Sequence, residues 1–558
     1  MRTLSLAWLL AVLACANAPS LGSAPAVLRP ATVVPAPVPA APGKIGDACT
    51  APAPFGPGSC APGSLCAPGP GGQCVASCGA IAGFPGASQP TCAGDARCIP
   101  TARAGEMCLA PCQADADCRA AQGYACDAAW RVCALPGFLP PAPPRCDHAA
   151  PAARTRFGGP QLISTGEVAG QYSIEPTGAL RHNGDVVLAY MAMNGLTEAN
   201  ALNVVTVAKD GHASLPRLLK SDKLRHFDPW MASRTGVDGA DEIYLAWLGH
   251  DGGMPDRNAE IALVRSSDGV TWSAPRARHD ALTDCPGHAA GCLDKPMLVA
   301  LTGGPYLLYF SEPGGGLRGV RAVDGAVSVA VGSGGYGDVF VDDKENVHVV
   351  YVTSADAATA SQFGDTKNLV EYVQSRDSGT TFDAPIRVSA PDTSVPFYFS
   401  NPQVLFDTRR RTLYVAYPAG GADGKWDILL AVSTNGGQSF VHRKINDDAS
   451  CANHMTPTLA LEARTGKIHL MWAENRDGQA RMVTSVCAIG GAICAVNEAL
   501  SDPFAAYNFA RHASMWRGEY DVLLVDEAHN KIHAAWTQPV DDHGVARSRI
   551  FYAQGKLR

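Results

Sequence analysis

Charged residues are scarce in this 558-residue chain, at 17% against about 25% in average globular proteins. Long solvated helices need a charged outer face, so a protein built mainly of them is excluded. The net charge of −7 is mild, which excludes a basic nucleic-acid binder and a polyanion-like tail. Beyond the first residues no apolar run is long enough to cross a bilayer as a helix. No two cysteines stand in a CxxC pair, which weighs against zinc and for disulfides. Turn formers, by contrast, are plentiful: 57 Gly and 41 Pro make up about 18% of the chain, against roughly 12% in average proteins. With 46% hydrophobic residues a large core is within reach, and the composition points to β structure.

The chain opens with Arg2 and an apolar run from Leu4 to Ala14, too short to span a membrane and suited to a signal peptide over 1–14. Val12-Leu13-Ala14-Cys15 resembles a bacterial lipobox, which implies lipidation at Cys15 and attachment to an outer membrane; the alternative is plain secretion after Ala16-Asn17-Ala18. Of 19 cysteines, setting Cys15 aside leaves an even number that can pair in an oxidising compartment. Residues 15–44, rich in Ala, Pro and Val, cannot bury a core and read as an extended tether. Residues 45–134 hold Cys49, Cys60, Cys66, Cys74, Cys78, Cys92, Cys98, Cys108, Cys112, Cys118, Cys126 and Cys133 with few large apolar residues between them. Such a segment must be stapled to be ordered, though its connectivity is not readable. It is similar to small cysteine-rich modules of secreted proteins. A Pro-rich linker, 135–154, follows.

From about residue 155 to 558 the pattern becomes short alternating strands between Gly, Asp and Asn turns. One segment recurs seven times: DVVLAY to Tyr190, EIYLAW to Trp247, PYLLYF to Phe310, NVHVVY to Tyr351, TLYVAY to Tyr417, KIHLMW to Trp472 and KIHAAW to Trp536. A second apolar strand precedes each copy, often opening on a Pro with an acidic or amide neighbour, and a third strand follows. Spacings of this size fit four-stranded propeller blades. The expectation is an all-β, seven-bladed propeller; the alternative is six blades, with the short third unit the candidate false one.

Three turns read SSDGVTW (Ser266, Asp268, Trp272), SRDSGTTF (Ser375, Asp377, Gly379, Phe382) and STNGGQSF (Ser433, Asn435, Gly437, Phe440). They resemble the Asp-box, or BNR repeat, of the sialidase-like β-propeller superfamily. In such a turn the Ser and Asp side chains bond a tight hairpin, the Gly takes positive φ and the aromatic tucks between sheets, all structural tasks. The resemblance implies a sialidase-type glycosidase with three arginines for a carboxylate and a Tyr activated by a Glu. In the segment where the first arginine is expected, Tyr172-Ser173-Ile174-Glu175-Pro176 has Ser173, which cannot grip a carboxylate bidentately. Arg517, Glu519 and Tyr520 sit together near the C-terminus, but neighbours along a strand point to opposite faces, so Glu519 is poorly placed to activate Tyr520.

A distributed set is the stronger candidate site. Glu175, Asp228, Asp294, Asp338, Asn401, His454 and Glu519 each stand near the start of a unit's first strand. Converging on the axis, they would form a ring suited to a hard cation such as Ca2+ or to sugar hydroxyls; the alternative is that each caps its own turn. Cys285 with Cys292, and Cys487 with Cys494, are spaced for local disulfides, leaving Cys146 and Cys451 for each other. His226 and His250 read as loop donors, and Trp230, Trp426 and Trp516 as candidates for stacking on sugar or packing in the core. The functional expectation is an extracytoplasmic, lipid-anchored propeller that binds a glycan or protein ligand at its axial mouth, with no nucleic-acid partner. The alternative is an active exo-glycosidase.

Overall fold

The computed structural model describes residues 44–557 except 51–58, parts of 61–104 and of 128–149, 166–171, 194–198, 237, 252–258, 281–292, 312–315, 322–327, 355–367, 392, 396–400, 421–425, 449–451, 477–478, 506–517 and 543–544. Cys15, Cys285, Cys292, Cys146, Cys451, Trp516 and Arg517 therefore lie outside the described residues.

Seven antiparallel sheets account for the chain beyond the linker, six of them built on four successive strands and the seventh on three. Their innermost strands are Tyr172–Leu180, Arg225–Thr235, Leu293–Leu301, Gly335–Val341, Gln403–Asp407, Asn453–Glu462 and Val522–Asp526. Each contacts the next, and the last contacts the first, so the sheets close into a seven-bladed propeller. The short third unit is a complete blade, with third and fourth strands Gly316–Arg321 and Val329–Gly332; its interval is small because the inner strand of blade four, Gly335–Val341, follows the fourth strand almost at once. Blade six carries an additional short strand, Phe504–Ala505.

The recurring aromatic segments form the second strand of every blade, and Tyr190, Trp247, Tyr351, Tyr417, Trp472 and Trp536 are fully buried. In blade three Tyr309 is the fully buried equivalent, one residue before Phe310. A strand covered on both faces by neighbouring blades loses its polar alternation, which is why these segments read as apolar runs. Seven apolar clusters lie between successive blades, the last uniting Val186, Leu188 and Tyr190 of blade one with Ala535, Ile550 and Tyr552 of blade seven. Blade seven is completed from the other end of the wheel, because its outermost strand is Gln161–Leu162, paired with Tyr552 and Phe551. Ile163 N donates to Ile550 O at 3.0 Å.

The three Ser-rich turns share one bonding scheme. Ser266, Ser375 and Ser433 Oγ accept from the backbone N–H of Gly269, Gly379 and Gly437 at 2.8, 2.8 and 2.9 Å. Asp377 Oδ1 accepts from Thr380 N at 3.0 Å and Thr381 N at 2.8 Å, and Asn435 Oδ1 takes the same role for Ser439 N at 3.1 Å. These bonds favour the ionised carboxyl: the Thr381 hydroxyl and amide hold Asp377 down to about 2. Gly379 has φ +87°, and a Cβ there would meet the Tyr306 ring of the preceding blade, so only glycine fits. Trp272, Phe382 and Phe440 pack between blades.

In the cysteine-rich region the described disulfides are Cys49–Cys66, Cys60–Cys74, Cys112–Cys126 and Cys118–Cys133, and Cys108 is also disulfide-bonded. In the propeller Cys487 pairs with Cys494. Among the described residues no helix is long and apolar enough to cross a membrane.

Candidate functional site

The site begins with a backbone irregularity. Five inner strands carry a bulge; in four of them pairing with the second strand shifts between Ile174 and Thr177, Phe227 and Trp230, Asp294 and Met297, and Met455 and Thr458, and in blade four between Gly335 and Gly337. At each of the first four bulges a non-glycine residue has positive φ: Glu175 55°, Asp228 52°, Lys295 46° and Thr456 52°. Each stands immediately before a proline. In blade four Tyr336, before Gly337, does the same at 50°. A bulge breaks the alternation and re-aims a side chain, and such strained backbone persists only where its surroundings hold it.

In blades one to three the re-aimed side chains meet at the axis. Lys295 Nζ pairs with Asp228 Oδ1 and lies 3.2 Å from Glu519 Oε2 and 3.8 Å from Glu175 Oε1. Asp294, next to Lys295, accepts a hydrogen bond from Tyr336 Oη at 2.9 Å. Blades one, two, three, four and seven thus contribute to one cluster. Glu175, Asp228, Lys295 and Glu519 are buried, while Asp294 is partly exposed. Both carboxyl oxygens of Glu175 lack hydrogen-bond partners, and Glu519 Oε2 faces the Lys295 ammonium.

Burial, the Asp228 charge and the Glu519 charge push Asp294 up to about 8 despite Lys295. Burial likewise raises Glu175 well above the carboxylate range, and Glu519 less so. Burial works against the Lys295 ammonium, but the facing carboxylates outweigh it and hold its pKa well above the ordinary value. Lys295 is the charge on which the cluster depends.

Four members of the ring expected from sequence, Glu175, Asp228, Asp294 and Glu519, come together; three do not join their ion-pair network. Asp338 accepts from Val404 N of the next blade at 2.9 Å, and burial pushes it to about 7. Asn401 is buried two residues before the inner strand of blade five, with Oδ1 unpartnered. His454 belongs to a different group of acids, Asp427, Asp448 and Glu474. The ring of acids around a hard cation is corrected accordingly: the cation among these carboxylates is the chain's own ammonium. With Nζ already placed among them, the donor set does not fit Ca2+, which takes six to eight oxygens.

Tyr520 is buried and its hydroxyl donates to Pro229 O at 2.9 Å, with Trp230 edge-on to its ring at 5.2 Å. Burial and the Glu175, Asp228 and Glu519 charges raise its pKa well above the ordinary value, the opposite of an activated phenolate. His226 Nε2 accepts from Ser221 N at 2.9 Å, and His250 stacks on Phe227 at 5.2 Å. Trp426 abuts Gly420 with its ring.

Sequence reading missed Lys295 because it sought acids at the strand starts. The missed signal was the proline: the residue before it marks the axial position, which selects Lys295 over Asp294 and Thr456 over His454.

No family model matches this chain, and no curated relative does. Solved structures with similar folds include an α-L-arabinofuranosidase of Fusarium graminearum in complex with arabinobiose, at 12% identity and TM-score 0.42, covering 72% of this chain and 98% of that one. The NanB sialidase of Streptococcus pneumoniae matches at 10% identity and TM-score 0.39 over 58% of this chain and 68% of that one. The BP39L lectin of Burkholderia pseudomallei matches at 12% identity and TM-score 0.41 over 68% of this chain and 98% of that one.

Proposed function

We propose that this protein is an extracytoplasmic propeller, anchored by lipid at Cys15, that binds a neutral glycan at its axial mouth. The observation that carries the reading is the convergence of Glu175, Asp228 and Glu519, from three other blades, on Lys295 and its neighbour Asp294. Unpartnered carboxyl oxygens accept from sugar hydroxyls, and an ammonium donates to them, in the manner of the few convergent polar groups of a ligand pocket. Ser173 stands where a carboxylate-gripping arginine would be needed, so sialic acid is the wrong ligand class.

The test is calorimetric titration of the purified protein with neutral oligosaccharides, beside Asp228→Asn and Glu519→Gln. Binding to the wild type that both variants weaken by at least about 10-fold, roughly one lost charged hydrogen bond, supports the reading. The absence of binding across neutral oligosaccharides, or binding that neither variant weakens, overturns it.

One observation favours a second reading, glycoside hydrolysis. Asp294 is partly exposed and its pKa of about 8 leaves it protonated at neutral pH, as a general acid must be. A panel of fluorogenic neutral glycosides decides: turnover abolished by Asp294→Asn supports hydrolysis, and binding without turnover leaves the protein a lectin-like receptor.

A further inference from the structure

A second group of titratable side chains lies where blade five meets blade six. Asp427 lies in the third strand of blade five, Trp426–Ser433. Asp448 follows that blade's outer strand, Val441–Lys444, while His454 and Glu474 lie in the first two strands of blade six, Asn453–Glu462 and Lys467–Arg476. One ligand atom each from Asp427, Asp448 and His454 falls within 4.8 Å of the others.

The His454 ring settles what this group can do. Nδ1 is 2.9 Å from the Trp426 carbonyl, and a carbonyl only accepts, so Nδ1 carries the proton. Nε2 of this fully buried ring has no hydrogen-bond partner, yet it lies 3.5 Å from Asp448 Oδ2 and 3.6 Å from Glu474 Oε2. In the neutral ring a lone pair faces two carboxylates. A protonated ring would donate across gaps well beyond the roughly 2.7–2.9 Å of a charge-assisted N–H···O bond. A cation among Nε2 and the carboxylates resolves both difficulties.

The carboxylates are oriented in turn. Asp448 accepts from Asn446 Nδ2 at 2.7 Å and from Ala452 N at 2.8 Å, Asp427 accepts from the same amide at 2.7 Å, and Glu474 is taken up by Arg476, whose Nε and Nη2 donate to its two oxygens at 2.9 and 3.2 Å. An imidazole whose other nitrogen is pinned to a carbonyl, with hydrogen-bonded carboxylates around it, is the usual arrangement of a metal-binding histidine.

We propose that Asp427, Asp448 and His454 bind one divalent transition cation, Zn2+ or Mn2+, that clamps blade five to blade six. One imidazole and two carboxylates favour such an ion over Ca2+ or Mg2+, which take oxygen alone. The three ligands come from two blades, so the bound ion stabilises their junction.

The experiment uses the full chain stripped of metal with chelator, then titrated calorimetrically with ZnCl2 and with MnCl2. The expected result is one ion per chain and a raised Tm, with Asp427→Asn, whose side chain is partly exposed, weakening binding by at least about 10-fold. His454→Gln should abolish binding. If that variant fails to fold, the visible spectrum of the Co2+-loaded wild type takes its place, with a nitrogen–oxygen ligand field expected. Lack of binding below millimolar metal, or equal affinity in wild type and Asp427→Asn, overturns the proposal.

Discussion

Lys295 Nζ, from the third blade, lies 3.2 Å from Glu519 Oε2 at the approach to the seventh. The two blades share no sheet and are not neighbours around the wheel, so this pair spans the axis and ties together strands that adjacent-blade packing leaves independent. Removing one partner of a buried pair leaves the other's charge uncompensated. Lys295→Met should therefore cost about 3–5 kcal/mol in denaturant unfolding of the propeller, with the loss smaller at pH 5, where the carboxyls are more readily protonated. An equal loss at pH 5 and pH 8 would show that packing of the lysine stem, not its charge, matters.

The stability that Asp294 contributes should be lost as pH rises from about 4 towards 8. Asp294 ionises only near 8 in the fold, whereas unfolded it ionises near its ordinary value of about 3.9. Within that window the folded chain holds a proton that the unfolded chain has released, so raising the pH favours unfolding. Asp338, pushed to about 7, acts in the same direction. His469 and His533, lowered by burial to about 4, act oppositely, their contribution being lost as pH falls from about 6.5 to 4. Tm against pH should peak between these limits, and Asp294→Asn should flatten the alkaline limb. A limb unchanged in that variant would place the titration elsewhere.

Gly379→Ala and Asp377→Ala probe the same turn differently. Alanine at 379 must adopt φ +87° against the Tyr306 ring, a strain of about 1–3 kcal/mol before any steric cost. Alanine at 377 removes exposed hydrogen bonds worth about 1 kcal/mol. Urea unfolding should rank the glycine variant as the less stable, and the reverse order would mean that Tyr306 yields easily.

Tyr520→Phe removes a hydrogen bond to Pro229 O and should cost about 1 kcal/mol while leaving glycan binding and any glycoside turnover intact. Loss of turnover with unchanged binding would restore Tyr520 as a nucleophile.

The wheel was legible in the sequence because its second strands, buried on both faces, repeat as apolar segments closed by an aromatic, and because turns such as Ser375–Phe382 use side chains to fix their shape. The closure strand was not legible: Gln161–Leu162 is two residues long, too short for any periodicity, and its partner lies nearly four hundred residues away in blade seven. The hub was half legible. Its acids stood out by residue type, but which residue of Leu293-Asp294-Lys295-Pro296 reaches the axis depends on a bulge, and Lys295 fell outside a search for oxygen ligands. The His454 group was hidden for another reason, since Asp427, Asp448 and Glu474 become neighbours only when two blades pack together.

Pairing of Gln161–Leu162 with Tyr552 and Phe551 also bears on how the protein is made. The ribosome delivers the first half of that joint nearly four hundred residues before the second. Any product that stops before residue 550 leaves an unzipped edge on the first-made strand, exposed to proteases and to other unfinished chains. A chain must be made through its seventh blade before it can latch itself shut.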